Sequence, residues 1–284
     1  MTTAKNDQVI AANIEVHSRL AAIYEKTEPH FRPENVRFVE GRLRELATKT
    51  QASKLLDLGC GTGFVIRIAR QFVPEIHGVD VTAAMLAQVD RSGPAAIHLH
   101  QHDTGTFPAE PGTFDLVTAY SFLHHLYEVV PTLRTAANAL RPGGVFYADL
   151  DPNYYFWQQI ESLERHGDYA PIVRREIEAV AHKDEEMQRT HGIDAEVFSH
   201  AEYGKDFLGG FREEILREQL REAGFARVDF HYYWFLGQAT LVNAPGLSPE
   251  ERQRNASLVD ETLRAAMPLS RPLYKYVGFT ATKG

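Results

Sequence analysis

The residues best suited to ligand binding form a glycine-rich turn, in which glycine occupies positions 59, 61 and 63. The turn follows an apolar run, Lys54–Leu58, and precedes a helical pattern that begins at Phe64. Glycine permits positive φ and close approach of a ligand to the backbone, and the following helix N-terminus offers N–H groups to an anion. The pattern therefore predicts a ligand site at this turn.

An acidic residue follows the turn at the distance expected for ribose recognition. Asp80 comes about 20 residues after Gly59, at the end of the next predicted strand, where a carboxylate can accept hydrogen bonds from both ribose hydroxyls. Taken alone, Asp80 could equally be the N-cap of a helix near Thr82. A nicotinamide-binding fingerprint would place its third glycine at position 64, which is Phe64 in this chain.

The segment from about 50 to 150 resembles the class I S-adenosylmethionine-dependent methyltransferases. The resemblance is carried by the glycine turn, Asp80, the triplet at 102–104, the strand and turn from Phe114 to His125, and the turn from Leu140 to Val145. It implies that Asp57 and the turn face the methionine end of the cofactor S-adenosyl-L-methionine. It also implies that Asp80 binds the ribose and that Asp103 contacts the adenine amino group.

The N-terminal helix is similar to lids that close over the cofactor in small-molecule methyltransferases, in which case Tyr24 would cover the methionine end. Simple packing of this helix on the sheet is the alternative. We expect Cys60 to be a small filler of the turn rather than a reactive thiol. The full set of cofactor contacts that the resemblance implies is Tyr24, Asp57, Gly59, Cys60, Gly61, Gly63, Asp80, Val81, Met85, Asp103, Thr104, Tyr120 and Ser121.

Methyl transfer from a sulfonium is an in-line displacement, so the protein mainly positions the acceptor and excludes water. A neutral histidine could help to ionise a phenolic acceptor. His124 is our candidate catalytic base, because its Leu-His context after the fourth strand is similar to that of the base in plant-type O-methyltransferases. Those enzymes have Asp after this histidine, whereas His125 follows here. A structural role for His124 therefore stays open, and His125 is expected to contact the substrate.

No metal is expected. His98, His100 and His102 alternate along one strand and would project from one face. Since no cysteine or carboxylate cluster completes a site, a polar face of an edge strand is the preferred interpretation. Metal-dependent catechol methyltransferases also need an acid after the fourth strand, and this chain has Tyr120 there.

Residues 152–211 are rich in aromatic side chains and are interpreted as an insertion that encloses an apolar or aromatic acceptor. Ordinary packing of these side chains is the alternative. The residues expected at the substrate are His125, Tyr154, Tyr155, Trp157, Tyr203 and Phe207. We expect methyl transfer to a small, aromatic or hydrophobic molecule, at oxygen rather than nitrogen or carbon. A methyltransferase acting on tRNA or protein, and a catalytically silent S-adenosylmethionine-binding module, are the rival hypotheses.

The elements that must position these residues follow from hydrophobic periodicity. Apolar runs alternate with helical patterns and predict an α/β fold with a doubly wound, mostly parallel sheet. The resemblance implies seven strands with the last one, near 276–282, antiparallel. We expect a helical lid at 1–50, a Rossmann-like core at 51–151 and 212–284, and a helical insertion at 152–211 that forms a substrate cap. Within the lid, helical stripes are predicted over 7–26 and again after Pro33.

Composition limits the partners. The 284 residues include 30 Lys+Arg and 38 Asp+Glu, for a net charge of −8, and 44% apolar residues suffice for a large core. An acidic chain lacks the basic footprint of a nucleic-acid binder. No signal peptide or run of about 18 apolar residues is visible, so no membrane partner is expected. A single cysteine fits a cytoplasmic location, and a homodimer is possible.

Overall fold

The computed structural model describes residues 2–164, 166–181 and 183–284. Its strands are β1 (Lys54–Leu58), β2 (Glu75–Asp80), β3 (Ala96–Gln101), β4 (Phe114–Tyr120), β5 (Leu140–Pro152), β6 (Phe225–Phe235) and β7 (Tyr274–Lys283). They form one seven-stranded sheet in the order β3-β2-β1-β4-β5-β7-β6. The first five strands are parallel, and β7 runs antiparallel to both β5 and β6. This topology confirms the predicted fold class.

The helices lie on both faces of the sheet and at its carboxyl edge. Their bounds are α1 (Thr2–Leu20), α2 (Tyr24–Thr27), α3 (Pro33–Thr50), α4 (Phe64–Ala69), α5 (Ala83–Leu86), α6 (Val130–Ala139), α7 (Tyr154–Glu161), α8 (Pro171–Ala181), α9 (Lys183–His191), α10 (Ala195–Ala201), α11 (Tyr203–Asp206), α12 (Glu213–Glu222), α13 (Gln238–Val242) and α14 (Pro249–Ala265). Short 3-10 turns occupy Pro29–Phe31, Leu123–His125 and Arg271–Leu273. Among the described residues, no helix is both long enough and apolar enough to cross a lipid bilayer.

The central strands are continuous apolar runs because helices cover both of their faces. Leu55 packs with residues of α3 and α4 such as Leu43 and Ile66. Its neighbour Leu56 belongs to the cluster on the opposite face, together with residues of α6 and α12 such as Leu133. Successive residues of a strand thus pack into two separate cores, one on each face of the sheet. This packing on both faces fixes the positions of the strands' carboxyl ends.

The N-terminal helical pattern is interrupted where a continuous helix over 7–26 was expected. The structure ends α1 at Leu20, and the N–H of Ile23 donates to the Leu20 carbonyl at 2.9 Å. A bond from residue i+3 to residue i tightens a helix end, so the chain turns before α2 begins at Tyr24.

The N-terminal helices and the insertion pack on each other. Val16 and Leu20 of α1 share a buried cluster with Phe198 and Ala201 of α10. The expected lid and cap therefore form a joint layer. Arg165 and His182, which belong to the predicted insertion at 152–211, lie outside the described residues.

Candidate functional site

The glycine turn after β1 has the backbone geometry that its sequence demands. The N–H groups of Gly59 and Cys60 both donate to the carbonyl of Val79, at 2.8 and 3.0 Å, which fixes the turn against the end of β2. The φ angles lie in the left-handed region that favours glycine, at 70° for Gly59, 52° for Gly61 and 87° for Gly63.

The segment after β4 closes on the glycine turn from the other side. Ser121 has a φ of 51°, unusual for a residue with a side chain, and its N–H donates to the Asp149 carbonyl at 2.8 Å. The next residue, Phe122, places its ring where a side chain at position 59 would be. A Cβ added to Gly59 would lie 1.9 Å from that ring. Position 59 is therefore restricted to glycine by both conformation and space.

Two carboxylates stand at the ends of the neighbouring strands. Asp80 ends β2, and its two oxygens accept from the backbone N–H groups of Gly61 and Thr82, at 2.9 and 2.8 Å. Asp103 follows β3, and its Oδ1 accepts from the N–H of Gly105 at 2.9 Å. Backbone donors thus hold both acids in fixed orientations at the carboxyl edge of the sheet, where open α/β sheets bind ligands.

These residues form one wall of a cleft of about 770 Å³, open solvent at its mouth included. The opposite wall comes from the N-terminal helices and the 3-10 turns. The residues that line the cleft are Ile10, Asn13, His17, Tyr24, His30, Phe31, Gly59, Cys60, Gly61, Thr62, Phe64, Asp80, Val81, Thr82, Met85, Asp103, Thr104, Tyr120, Ser121, Phe122, His125 and Leu126. The carboxyl edge of the sheet and the N-terminal helices therefore enclose one cleft between them.

Two imidazole rings that border this cleft each face a backbone carbonyl through Nδ1. The His125 Nδ1 lies 2.7 Å from the Ala201 carbonyl, and the His17 Nδ1 lies 2.9 Å from the Asn13 carbonyl. Because a carbonyl only accepts, each Nδ1 carries a proton, and in the neutral form of His125 the Nε2 atom is left as an acceptor. Burial, with the nearby His124 and His17, holds the pKa of His125 well below its ordinary 6.5. His125 is therefore a neutral ring whose Nε2 can accept a hydrogen bond or a proton.

Asn13 links α1 to the backbone of His125. Its Nδ2 donates to the carbonyl of His125 at 2.9 Å and to the carbonyl of Val9 at 2.9 Å. The rings of His17 and His125 meet edge to face, with centroids 4.8 Å apart. The position of α1 is thus coupled directly to the turn after β4.

His124 lies behind the cleft wall. Its backbone N–H and its Nδ1 both lie at hydrogen-bond distance from Asp151 Oδ1, at 3.0 and 2.8 Å. Burial raises the pKa of Asp151, although the bonds from His124 oppose that shift. The 3-10 turn Leu123–His125 explains the difference between the two histidines, since successive side chains on such a turn point about 120° apart. His124 is consequently directed at Asp151, while His125 borders the cleft.

Four of the aromatic rings that line the cleft form a cluster. The rings of His30, Phe31, Phe64 and Tyr120 contact one another with centroids 4.5 to 5.9 Å apart. Burial, helped by the charge of Arg67, lowers the pKa of His30 to about 4. This part of the cleft wall is therefore aromatic and uncharged at neutral pH.

The comparison with known families matches one part of this chain. Residues 56–148 fit the family model described as a methyltransferase domain. This part of the chain is a methyltransferase domain. It contains the glycine turn, both carboxylates and both histidines of the turn after β4.

Relatives and solved structures agree with this identification. The methyltransferase domain is similar to the ubiquinone biosynthesis O-methyltransferase of Pectobacterium carotovorum, at 28% identity over 41% of this chain and 51% of that protein. The malonyl-[acyl-carrier protein] O-methyltransferase of Enterobacter lignolyticus is 30% identical over 44% of this chain and 51% of that protein. The chain thus spans about half the length of these curated relatives.

A solved S-adenosylmethionine-dependent methyltransferase from Mesorhizobium loti has a TM-score of 0.51 at 19% identity and covers 86% of this chain and 96% of its own. That likeness shows a shared fold. Together with the family match, it identifies the methyltransferase domain as the class I type, whose cofactor is S-adenosylmethionine.

Most of the expected cofactor contacts come together at the methyltransferase domain's cleft. Those that line it are Tyr24, Gly59, Cys60, Gly61, Asp80, Val81, Met85, Asp103, Thr104, Tyr120 and Ser121. Two others lie behind the wall. Asp57 is 2% exposed and accepts a hydrogen bond from the Thr118 hydroxyl at 2.7 Å. Gly63 begins α4, where an added Cβ would lie 3.0 Å from Val89.

The aromatic residues expected at the substrate lie elsewhere. Tyr154 carries the Arg212 guanidinium 3.8 Å above its ring, and Trp157 is buried in a cluster of the insertion. The remaining three, Tyr155, Tyr203 and Phe207, also lie away from the cleft lining, and Phe207 is 52% exposed. Of the substrate set, His125 is the residue that borders the cleft. The insertion reaches the methyltransferase domain through the Ala201 carbonyl, which lies 2.7 Å from His125 Nδ1, and through the Tyr203 ring, which contacts the ring of Tyr127 with centroids 5.0 Å apart.

Several residues of the methyltransferase domain's cleft were not expected from the sequence. Thr62 stands inside the glycine turn, and its buried hydroxyl has no hydrogen-bond partner among the described residues. His30 and Phe31 come from the turn between α2 and α3, where the sequence pattern gives no signal. Asn13 could have been found, because it lies one helical turn before His17 on the same face of α1.

Proposed function

We propose that this chain transfers a methyl group from S-adenosylmethionine to an oxygen atom of a small, aromatic or hydrophobic molecule. The observation that carries this proposal is the neutral imidazole of His125, whose acceptor Nε2 borders the same cleft as the glycine turn and Asp80. The two relatives compared above are both named O-methyltransferases, which supports oxygen as the methylated atom.

The residues present fit the cofactor. Gly59 lets the Phe122 ring pack directly on the turn at the cleft wall, and Asp80 offers a carboxylate oriented by backbone donors, as a ribose diol requires. Asp103 would face the adenine amino group. The Thr62 hydroxyl, buried in the wall without a partner among the described residues, would bind a polar group of the cofactor. S-adenosylmethionine supplies an electrophilic methyl group on a cationic sulfur.

The protein's part in the reaction is to bind, to exclude water and to accept a proton. His125 Nε2 would accept the hydroxyl proton of the acceptor as the oxygen attacks the methyl group. Because burial keeps this ring neutral, it is ready to accept a proton at neutral pH. His124 would act as a positioning residue, since its two bonds to Asp151 fix the turn that presents His125.

The acceptor wall is composed of rings. Tyr24, His30, Phe31 and Phe122 border the cleft and offer flat, largely apolar surfaces. Such a lining favours an aromatic or hydrophobic acceptor over a long charged polymer. The net charge of −8 also disfavours a polyanionic substrate.

The test is methyl transfer by the purified chain, with labelled S-adenosylmethionine and separate panels of phenols, aromatic carboxylic acids, bulk tRNA and protein. Labelled O-methyl product from the first two panels supports the proposal. Transfer to tRNA or protein alone would support the first rival, and cofactor binding without transfer to any panel would support a silent module.

Two histidine variants separate the proposed roles. His125→Ala should lower kcat at least about 100-fold while leaving cofactor affinity near that of the parent, as loss of a general base does. His124→Ala should mainly raise KM, because it loosens the turn and leaves the basic nitrogen in place. A larger kcat loss for His124→Ala than for His125→Ala would return the role of base to His124.

A further inference from the structure

A group of histidines and one carboxylate lies on the sheet face near the β3 edge, outside the cleft. The strand register pairs His77 of β2 with His98 of β3, and Val79 with His100, so alternate residues of both strands share this face. Glu75 precedes His77 by two positions and belongs to the same face. The pairing of β2 with β3 therefore places the Glu75 carboxylate of β2 on the same face as the histidines of β3.

The side chains of this group are already close. His77 Nε2 lies 3.0 Å from Glu75 Oε1, and the ring centroids of His77 and His98 are 4.7 Å apart. One potential ligand atom from each of Glu75, His77 and His98 lies within 4.8 Å of the others. Tetrahedral zinc, with bonds of about 2.0 to 2.2 Å to nitrogen and oxygen, needs ligand atoms roughly 3.4 Å apart. Small side-chain rotations would therefore complete the ligand set.

We propose that Glu75, His77 and His98 bind a divalent transition-metal ion such as Zn²⁺, with a fourth position open to water. Imidazole nitrogen and carboxylate oxygen are ligands that zinc accepts in this number and combination. His98 is exposed, which gives the ion a path from solvent.

Neighbouring groups hold the central ligand in place. His77 Nδ1 lies 3.1 Å from His100 Nε2, and this contact leaves Nε2, which faces Glu75, as the nitrogen directed at the proposed ion. The His77 ring also packs edge-on against Phe114, with centroids 5.2 Å apart. A ligand whose ring is fixed on two sides loses little rotational freedom when it binds a metal.

The Lys54 ammonium group competes with a metal ion for the Glu75 carboxylate. Lys54 Nζ lies 3.0 Å from Glu75 Oε1, and the Lys54 side chain is 34% exposed. An incoming cation must displace this ammonium group, which can swing into solvent. The structure therefore assigns Lys54 the role of a competitor, and its removal should strengthen metal binding.

The experiment titrates tag-free protein with ZnCl₂ by calorimetry, because a polyhistidine tag would itself bind the ion. The parent should bind about one equivalent at this site, and His77→Ala and His98→Ala should each weaken that binding at least about tenfold. Lys54→Met should tighten it. His166→Ala, which removes an exposed histidine outside this group, is the matched control and should leave binding unchanged.

A second group could capture zinc instead, since His124, His125 and Glu202 also have ligand atoms within 4.8 Å of one another. Loss of the zinc equivalent in Glu202→Gln together with full retention in His77→Ala would overturn the proposal. So would a parent protein that binds no zinc, or a Lys54→Met variant that binds it more weakly. His98 is exposed, so His98→Ala should keep the parent's circular dichroism. The result does not depend on methyl transfer, because none of the three proposed ligands lines the cleft.

Discussion

The buried carboxyl group of Asp57 yields a prediction whose sign and size both follow from the structure. Burial, reinforced by the charge of Asp80 and opposed by the Thr118 hydrogen bond, raises the pKa of Asp57 from 3.8 to about 7. In the unfolded chain this carboxyl has its ordinary pKa. We expect Asp57→Asn to stabilise the ligand-free protein at neutral and alkaline pH. Asparagine carries no charge, and its amide oxygen can still accept the Thr118 hydroxyl.

The size follows from the difference between the two pKa values, 3.8 and about 7. Each pKa unit corresponds to about 1.4 kcal/mol, so the ionised carboxylate costs the folded state up to about 4 kcal/mol. Below pH 3.8 both states hold the proton and the cost is absent. Between pH 3.8 and about 7 the folded state keeps a proton that the unfolded state has released, so stability falls as pH rises. Above about pH 7 the full cost remains.

The assay is urea unfolding of the ligand-free parent and of Asp57→Asn, at about pH 5 and about pH 8. The variant's gain in unfolding free energy should be about 1.5 kcal/mol at the lower pH and up to about 4 kcal/mol at the higher one. Asp90→Asn is the control, because hydrogen bonds from Ser92 and Arg70 lower the pKa of Asp90 to about 2. That carboxyl is ionised in both states at both pH values, so its effect should not change with pH.

Equal stabilisation by Asp57→Asn at both pH values would refute this reasoning, since the carboxyl would then not titrate in the window between them. Ligand affinity gives an independent measurement that rests on the proposed function. The cation S-adenosylmethionine should bind more tightly as pH rises through about 7, because it favours the ionised Asp57. S-adenosylhomocysteine lacks the sulfonium charge and should show a smaller change.

Three further predictions concern the cleft. Gly59→Ala should abolish most cofactor affinity in calorimetry, because its Cβ would lie 1.9 Å from the Phe122 ring. Gly112→Ala is the control and should leave affinity intact: Gly112 has a similar φ of 68°, but its Cβ would meet no atom within 4 Å. Asp80→Ala should likewise remove most cofactor affinity, since it deletes the carboxylate held by two backbone N–H groups, and full retention would contradict the assignment. At saturating cofactor, kcat should stay constant from about pH 7.5 down to about pH 6, because the pKa of His125 lies well below 6.5. A twofold fall in kcat near pH 6.5 would instead indicate a histidine with an ordinary pKa.

The sequence predicted the sheet well because each strand carries its own local signal. The run Lys54–Leu58 coincides with β1, and the run from Phe114 falls within β4. The antiparallel β7 was expected from family resemblance and not from periodicity, since an apolar run does not reveal the direction of its partner. The glycine turn was predictable for a related reason: positive φ at three alternate positions restricts the residue type directly.

The wall of the cleft that we propose for the acceptor was harder to predict, because it depends on long-range packing. The insertion's aromatic rings were expected at the substrate, yet Trp157 fills a core of its own cluster and Phe207 faces solvent. The rings that do border the cleft, such as His30 and Phe31, come from a short turn whose pattern resembles any surface loop. Composition therefore does not reveal which segment supplies the rings that border the cleft.

The histidines show why pattern reasoning fails at the level of single side chains. His124 and His125 are adjacent and chemically identical in sequence, and the rotation of one 3-10 turn separates a ring bound to Asp151 from a ring that borders the cleft. The histidines of β3 were expected to have no carboxylate cluster beside them, whereas Glu75 approaches from β2 through a register that no local pattern encodes. In both cases the residue types were recognisable and their partners were not. The function of such a side chain therefore depends on which residues the neighbouring element places beside it. A metal site on a strand with alternating histidines can be predicted only when the ligands on the adjacent strand are considered as well.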